Sequence, residues 1–226
     1  AWCGDFLFVG LAPVSALDDQ LGEMEQTLIA VSRQITARRD FNAFVWRSHW
    51  RVAVENALEG YHVSAIHPQT LAPLGLTDDE TVFTGGGSIY TAKIGDARIA
   101  KGLERMKRFF DIDHAYDGYW TAHVFPFAML SSTFGYSYSM QIFFPAAEDG
   151  RTRFTSRLLT ASTRPGSEAV LDGFFDSTAR VNRQVFDEDH AICARVSPLY
   201  DMAKTDRYFA QSELRVRRLH GFLAGL

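Results

Sequence analysis

Two histidines close together in the chain could hold a metal ion. His62 and His67 are five residues apart, and the residues between them, 63–66, are small or apolar. A turn there could bring both imidazoles to one point, and a pair of neutral imidazoles is a good start for binding a divalent metal. Because a lone histidine is more often a hydrogen-bonded core or surface residue, a carboxylate is needed to complete the set.

A candidate carboxylate lies far downstream, in a long helical pattern from about Ser167 to Val196. Four apolar residues form a stripe along this pattern, at steps of four, seven and four: Val181, Val185, Ile192 and Val196. Asp189 occupies the missing position of the stripe, so its carboxylate is predicted to point at the core. An unpaired buried carboxylate is costly, and Asp189 therefore needs either a basic partner or a metal ion.

Two explanations of Asp189 follow from this pattern: a metal ligand, or a buried salt bridge to Arg183 or Arg195. The metal ligand is favoured in combination with the two histidines, since two imidazoles and one carboxylate form the facial triad of non-haem iron sites. The polar side chains beside it lie off the stripe and are predicted to be solvated: Asp187, Glu188 and His190.

The segment before the histidines has a second helical pattern, from Trp50 to Tyr61, whose apolar positions recur every three or four residues. Glu55, Glu59 and His62 fall at i, i+4 and i+7, so two acids and an imidazole are predicted to share one face of this helix. A solvated helix face is the ordinary explanation of such a stripe. The interpretation as a metal site depends on the second histidine that follows.

The remaining patterns predict the elements that position these residues. Strands are predicted at Phe6–Val9, Phe41–Trp50 and, in several short runs, Tyr119–Ala161, with a turn at Glu148–Gly150. Amphipathic helices are predicted at Leu17–Val31 and Glu213–His220. Residues 68–88, which include three consecutive glycines, lack phosphate-loop spacing and are predicted to form a loop. Strands followed by a long helix indicate a fold of the α+β class.

Composition excludes several classes of protein. The 226 residues, 46% of them hydrophobic, are enough for one substantial core. The net charge of −4 comes without a basic stripe, so nucleic acids and anionic membranes are disfavoured as partners. Two isolated cysteines, Cys3 and Cys193, provide no disulfide framework, and no apolar run reaches the roughly 20 residues that span a bilayer. The chain is therefore predicted to be cytoplasmic.

The residues around the two histidines resemble a known signature. The run His49-Trp50-Arg51, Glu55-Asn56, Glu59, Tyr61-His62, His67-Pro68 resembles the iron-binding motif of the α subunits of Rieske non-haem iron oxygenases. That family pairs the motif with a Glu-Asp step on a long downstream helix, and Glu188-Asp189 is similar to it in character and distance. The resemblance implies a helix-grip domain, in which an antiparallel sheet wraps around a long C-terminal helix.

The resemblance also implies a division of the chain. Residues 1–12 look like the end of a Rieske domain, and residues 13–226 look like the non-haem iron catalytic domain. A Rieske cluster needs a Cys-x-His and a Cys-x-x-His pair, and the chain contains neither. The [2Fe-2S] cluster is therefore expected in the full-length protein without ligands from this chain, which by itself is expected to show little or no turnover.

Roles for individual residues follow from the resemblance. It implies three ligands for Fe(II): His62, His67 and Asp189. The acid three residues before the first ligand carries electrons from the Rieske cluster of a neighbouring subunit; Glu59 stands there, where many relatives have Asp. Asn56 and Tyr61 are expected just outside the ligands. A reductase or ferredoxin as electron donor and a homotrimer of the full-length protein are implied as well.

The implied reaction is hydroxylation of a small organic substrate with O₂, and the aromatic residues of the predicted strands favour an aromatic ring. The predicted pocket residues are Phe125, Phe127, Phe134 and Phe143, together with Tyr119, Trp120 and Phe144. A hydroxylase or oxidative demethylase of a quaternary ammonium compound also suits an aromatic box. Two alternatives of other classes are a helix-grip module that binds a hydrophobic molecule without catalysis and a zinc hydrolase with Glu59 as general base.

Overall fold

A computed structural model describes residues 1–10, 12–13, 15–113, 116–146, 151–202 and 208–224. The N-terminal part contains β1 (Trp2–Cys3), β2 (Phe6–Leu7), α1 (Leu17–Leu21), α2 (Met24–Gln34), β3 (Ile35–His49), α3 (Trp50–Leu58) and α4 (Val63–Ile66). The middle contains β4 (Thr77–Thr84), β5 (Gly87–Lys93), α5 (Ala97–Met106), β6 (Gly118–Val124), β7 (Ala128–Thr133), β8 (Ser137–Pro145) and β9 (Arg151–Ala161). The C-terminal part contains α6 (Glu168–Met202) and α7 (Leu214–Ala224).

Seven strands form one antiparallel sheet in the order β3-β9-β8-β7-β6-β5-β4, and β1 pairs with β2 in a separate hairpin. The long helix α6 packs against β3 and α3. A large antiparallel sheet combined with separate helices confirms the α+β class. Among the helices within the described ranges, none combines the length with the apolar character that crossing a bilayer requires.

Strand β6, which lies between β7 and β5, is buried on both faces, and the two faces differ in chemistry. One face packs into a hydrophobic cluster with α1 and α2, to which β6 contributes Trp120, Ala122 and Val124. Because side chains alternate along a strand, Tyr119, Thr121 and His123 point to the opposite face. Their partners on β7, and the next residues on β8, are mostly polar: Thr133, Ser131, Met129, Ser139 and Gln141. The sheet therefore has one polar inner face.

The sequence predicted a loop over residues 68–88, but the structure has strands in part of this range. These residues contain β4 and the start of β5, which are joined by a tight turn at Gly85 and Gly86. A Cβ atom at Gly85 would lie 2.6 Å from the carbonyl oxygen of Asp19 and 2.7 Å from that of Gln20. The glycines thus let a hairpin approach the backbone of α1 closely. Their role is structural, and the sequence had already shown that they lack the spacing of a phosphate-binding loop.

Several predicted helices differ from the structure in their bounds. The run at 17–31 is two helices, α1 and α2, because Gly22 between them adopts a positive φ of 55°. The patterns at 167–196 and 213–220 correspond to α6 and, after a short 3₁₀ turn, α7. Helix α5 was missed, although Asp96 caps its first turn by accepting a hydrogen bond from the Ile99 amide. The predicted turn at 148–150 lies outside the described residues.

Phe154 is fully buried in a second hydrophobic cluster, where its ring contacts Trp46, Phe143 and Phe186. We expect Phe154→Ala to lower the free energy of unfolding by about 3–5 kcal/mol, because it leaves a cavity among three aromatic side chains. The control is Phe144→Ala, which removes a half-exposed ring and should cost about 1 kcal/mol or less. Denaturant titrations compare the two variants, and equal destabilisation would contradict the prediction.

Candidate metal centre

The side chains of His62, His67 and Asp189 meet at one point. A nitrogen of each histidine and a carboxylate oxygen of Asp189 all lie within 4.8 Å of one another. Asp189 Oδ1 is 3.0 Å from His67 Nε2 and 3.5 Å from His62 Nε2. His67 is fully buried, whereas the side chains of His62 and Asp189 are 13% and 16% exposed. Residues from two distant segments of the sequence are therefore neighbours in the fold.

The two histidines are positioned by the short helix α4. His62 directly precedes its first residue and His67 directly follows its last, which brings the imidazole ring centroids to 5.1 Å. The single helical face predicted for Glu55, Glu59 and His62 is wrong, because α3 ends one residue before Glu59, whose backbone is extended. Gly60, a poor helix former, follows at the break.

Each histidine uses its second nitrogen for a carboxylate outside the triad. His62 Nδ1 is in hydrogen-bond contact with Glu59 Oε1, and His67 Nδ1 is 2.7 Å from Glu188 Oε2. A carboxylate at Nδ1 holds the proton there, which leaves the Nε2 lone pair free for a metal ion. Both Nε2 atoms are therefore turned toward Asp189.

Neither Arg183 nor Arg195 holds Asp189. Asn56 Nδ2 donates a hydrogen bond to Asp189 Oδ1 at 2.8 Å. Arg183 pairs with Asp40 instead, with Nε 3.0 Å from Oδ2, and Arg195 is exposed. The salt-bridge explanation of Asp189 is therefore wrong, and the explanation as a metal ligand remains.

Glu188 belongs to the site, although the sequence predicted that it is solvated. Besides contacting His67, its carboxylate accepts hydrogen bonds from Thr70 Oγ1 at 2.9 Å and from Gln184 Nε2 at 2.8 Å. The error arises because His67, which follows α4, is buried against α6. Its ring therefore contacts the Glu188 carboxylate on the flank of α6. Sequence periodicity carries no signal for such a contact.

His190 is not solvated either. Its ring stacks on Trp46 with a centroid distance of 5.4 Å, and its Nε2 accepts a hydrogen bond from the Arg47 amide at 2.9 Å. Both partners belong to β3, which covers this side of α6. Asp187 is exposed, as predicted.

The electrostatic surroundings of the triad favour positive charge. Burial alone would lower the pKa of His62, but hydrogen bonds to Asp189 and Glu59 outweigh it and raise that pKa to about 9. The pKa of His67 is raised against burial in the same way, by Asp189 and Glu188. Burial would raise the pKa of Asp189, yet its bonds with both histidines hold it below the usual range. The cluster therefore stabilises positive charge, whether protons or a cation carry it.

The two distances from Asp189 Oδ1 fit a metal ion with neighbouring ligands at right angles, and the three ligand atoms all lie within 4.8 Å of one another. Ligand atoms about 2.1 Å from such an ion are about 3 Å from each other, close to the 3.0 and 3.5 Å measured from Asp189 Oδ1. A structural zinc site is closed by four protein ligands. Within the described residues, three candidate ligands converge here, which leaves further coordination positions open.

A cavity of about 280 Å³ lies between α6 and the sheet, and no residue of the triad lines it. One wall is the face of α6 that carries Asn182 and Val185, two turns and one turn before Asp189. Thr70, which binds Glu188, lines the cavity as well. The opposite wall is the polar inner face of the sheet, with Tyr119, Ser131, Thr133, Ser137, Ser139 and Gln141. None of the described residues that line the cavity carries a charge.

The four phenylalanines predicted to form the substrate pocket do not line this cavity. Phe134 and Phe143 are buried in the two hydrophobic clusters. Phe125 and Phe127 flank the turn between β6 and β7 and pack against aromatic rings of α7 and α3. Of the seven aromatic residues considered for the pocket, Tyr119 is the one that lines the cavity. A signal for the actual wall was the run of serines and threonines in β7 and β8.

Tyr61 and Glu55 connect this region to the C-terminal part of the chain. The Tyr61 side chain is mostly exposed, and its hydroxyl donates a hydrogen bond to Glu213 Oε1 at 3.2 Å. Glu55 Oε1 is 2.7 Å from His220 Nε2. Tyr61 was expected just outside the ligands. The hydrogen bond that the structure gives its hydroxyl goes instead to Glu213, in the C-terminal part of the chain.

Tyr119 links the cavity to a buried cation. The Ser131 hydroxyl and the charge of Arg215 both act to lower the pKa of Tyr119. Burial raises the pKa of Tyr119 to about 12, and these two neighbours oppose the shift without reversing it. Tyr119 is therefore a neutral hydrogen-bond donor at physiological pH.

The stability of the protein is expected to depend on pH because of His123, which lies on the same face of β6 as Tyr119. Burial, together with the charge of Arg215, lowers the pKa of His123 to about 3. In the unfolded chain the pKa of His123 is about 6.5, so at mildly acidic pH the residue is protonated there while it stays neutral in the folded chain. Stability is therefore lost as the pH falls from about 6.5 toward 3, at up to about 1.4 kcal/mol per pH unit. In urea titrations at pH 6.5 and 5, His123→Gln should lose less stability than the wild type; parallel losses would contradict this.

Comparison with known proteins identifies the class of this site. A family model described as the ring hydroxylating alpha subunit (catalytic domain) matches residues 37–225. No curated protein sequence matches the chain. The matched range begins in β3 and ends after α7, so it includes every residue of the triad and every lining residue of the cavity.

Solved structures share the fold at low sequence identity. The quaternary ammonium Rieske monooxygenase CntA with L-carnitine has a TM-score of 0.63 and 12% identity over 94% of this chain and 55% of its own. Dicamba monooxygenase bound to dicamba has a TM-score of 0.53 and 14% identity over 83% of this chain and 58% of its own. NdmA of Pseudomonas putida CBB5 with theobromine has a TM-score of 0.51 and 13% identity over 82% of this chain and 49% of its own.

The chain thus spans about half the length of each of these structures. The family match, which covers most of the chain, agrees with the motif around His62 and His67. The chain therefore belongs to the Rieske oxygenase α-subunit family and contains its catalytic domain.

Proposed function

We propose that this chain uses mononuclear Fe(II) and O₂ to oxidise a small organic substrate. The preferred form of the proposal is hydroxylation of an aromatic substrate. The observation that supports the proposal is the convergence of two imidazoles and the Asp189 carboxylate of α6, a helix that also lines a cavity. Three ligands of this kind leave coordination positions open for oxygen chemistry.

The residues of the chain have separate tasks in this proposal. His62, His67 and Asp189 would hold the iron, and bound Fe(II) supplies one-electron redox chemistry and the positions at which O₂ is activated. Glu59 and Glu188 each keep a proton on one Nδ1, so that both Nε2 atoms remain electron-pair donors. The cavity walls orient the substrate beside the centre and exclude bulk water.

Glu59 is proposed to carry electrons to the centre. Its side chain is 7% exposed and contacts the nitrogen of His62 that faces away from Asp189. The donor would be a [2Fe-2S] cluster whose ligands lie outside this chain, supplied by a reductase or ferredoxin. Inter-subunit electron transfer is described for CntA. We further infer a homotrimer of the full-length protein, the end of a Rieske domain at residues 1–12, and a helix-grip catalytic domain at 13–226.

Oxidation of a quaternary ammonium compound is the second candidate. CntA binds L-carnitine and γ-butyrobetaine, which gives this reaction some support. A bare cation is held by several aromatic faces, whereas hydroxyl and amide groups dominate one wall of the cavity of this chain. The reaction on an aromatic substrate is therefore preferred.

The two alternatives of other classes are disfavoured by the surroundings of the histidines. A binding module without catalysis would have no use for two imidazole–carboxylate pairs that converge on a third carboxylate. In a zinc hydrolase, Glu59 would have to reach a metal-bound water as general base. Instead, it contacts His62 Nδ1, on the far side of the ring from the triad.

Metal analysis combined with O₂ consumption tests the proposed function. Protein purified anaerobically is expected to contain about one iron per chain. Full-length protein that includes its Rieske domain is expected to consume O₂ when a reductase and a substrate are present. Tightly bound zinc that iron does not replace, or failure to bind iron on anaerobic reconstitution, would contradict the proposal.

A further inference from the structure

Arg215, on α7, is a buried cation without an acidic partner. The residue is 8% exposed. Its Nε donates a hydrogen bond to Ser88 Oγ at 3.0 Å, and its guanidinium lies 5.6 Å from the ring centroid of Tyr90. Its Nη2 has no hydrogen-bond partner, and no carboxylate pairs with it in the ranges that the structure describes. Neutral groups therefore surround a full positive charge.

The neighbouring strand β6 carries two further buried polar atoms without described hydrogen-bond partners on the face shared with Ser88 and Tyr90: Thr121 Oγ1 and His123 Nε2. An uncompensated buried charge costs several kcal/mol, and folded proteins pair nearly all of their buried polar groups. The unpaired atoms around Arg215 therefore mark a buried, positively charged and polar region on this face of the sheet.

The polar region around Arg215 is continuous with the cavity. Tyr90 pairs with Thr121 across β5 and β6, and Thr121 pairs with Ser131 across β6 and β7, so these side chains share one face of the sheet. Ser131 lines the cavity, as does Tyr119, which lies two residues before Thr121 on β6 and on the same face. The region around Arg215 and the sheet wall of the cavity therefore belong to one continuous face, on which Tyr119 lies at the cavity.

We propose that the substrate of this cavity is a small organic anion, whose carboxylate or similar acidic group is recognised at the end formed by Tyr119 and Arg215. This inference rests on the proposed function, because it names the substrate class of the same site. Tyr119 donates a hydrogen bond to the anionic group, and Arg215 provides the opposite charge behind it. No acidic side chain among the described lining residues competes for this position.

The same arrangement decides which part of the substrate is oxidised. With its acidic group at Tyr119, the opposite end of the molecule lies along Asn182 and Val185, toward Asp189. A substrate that carries only positive charge is disfavoured, because the unpaired guanidinium repels it. A zwitterion would have to place its acidic group at Tyr119 and its cationic group away from Arg215.

Binding of benzoate and benzamide tests the proposal, since the two probes have nearly the same shape and differ in charge. Calorimetric titration uses the metal-free chain, so that coordination of the carboxylate by iron does not contribute. We expect the wild type to prefer benzoate by about tenfold or more. Arg215→Met should abolish the preference, whereas the control Arg217→Met, at an exposed position of the same helix, should retain it.

Equal binding of the two probes, no binding of benzoate, or a preference that survives Arg215→Met would overturn the proposal. Thermal unfolding without ligand is a second readout. Arg215→Met should unfold at a higher temperature than the wild type, because it removes an unpaired buried charge. A lower unfolding temperature would make Arg215 a structural residue and would also overturn the proposal. Iron content is measured separately: loss of iron binding with the benzoate preference intact would contradict the proposed function alone.

Discussion

Replacement of Asp189 by alanine is expected to remove iron from the protein almost completely. Wild-type protein should carry about one iron per chain and Asp189→Ala less than about a tenth of that. Asp189 Oδ1 faces the Nε2 atoms of both His62 and His67, so the variant loses one of three ligands and the negative charge that offsets a divalent cation. Elemental analysis after anaerobic purification and desalting measures the effect.

The control is Asp187→Ala, which removes an exposed carboxylate from the same helix two residues away. It should leave the iron content unchanged. Circular dichroism and thermal unfolding show whether either variant has lost its fold, since a misfolded variant would lose iron for a trivial reason. A folded Asp189→Ala protein that retains iron at the wild-type level would contradict the assignment of Asp189 as a ligand.

Glu59→Gln is expected to lower substrate-dependent O₂ consumption of the full-length protein by about 100-fold. The amide keeps the size of the carboxylate and can still accept a hydrogen bond from His62 Nδ1, but it removes the negative charge at this contact. If Glu59 carries electrons to the centre, the loss persists when every chain contains iron. Oxygen consumption at saturating iron, with a reductase as donor, measures it.

Glu188→Gln is a matched comparison, because Glu188 makes the same kind of contact with the other histidine, His67. Both variants should weaken iron binding, by about 10- to 100-fold. Saturating iron should restore much of the activity of Glu188→Gln and little of that of Glu59→Gln. Equal recovery of the two variants would mean that Glu59 only orients its histidine and has no part in electron transfer.

The triad could be predicted from the sequence because each member had a local signal. His62 and His67 stand close together between small and apolar residues, and Asp189 interrupts an apolar stripe. The position of the stripe was only partly correct: Val181 and Val196 are exposed, whereas Phe186 and Cys193 are buried. Asp189 still points inward, because it lies three residues after one buried side chain and four before the other.

The outer carboxylates and the cavity could not be predicted in the same way. Glu188 meets His67 across 121 residues of sequence, and the side of α6 that it occupies is covered only after the helix has packed. The aromatic residues of the strands misled the prediction of the pocket, because Phe134 and Phe143 serve the hydrophobic clusters. Arg215 gave no signal, since an arginine in an amphipathic helix is ordinarily solvated.

His67 is held by two consecutive residues of α6, with Nδ1 at Glu188 and Nε2 at Asp189. An ion that binds the triad therefore cross-links α4 to α6, two elements that are separated in the chain by six of the seven strands of the sheet. Occupancy is then thermodynamically linked to the docking of the long helix. By mass action, a free metal concentration 100 times the dissociation constant would add about 2.7 kcal/mol to folding, so cellular iron supply would govern how much of the protein survives as well as how much is active.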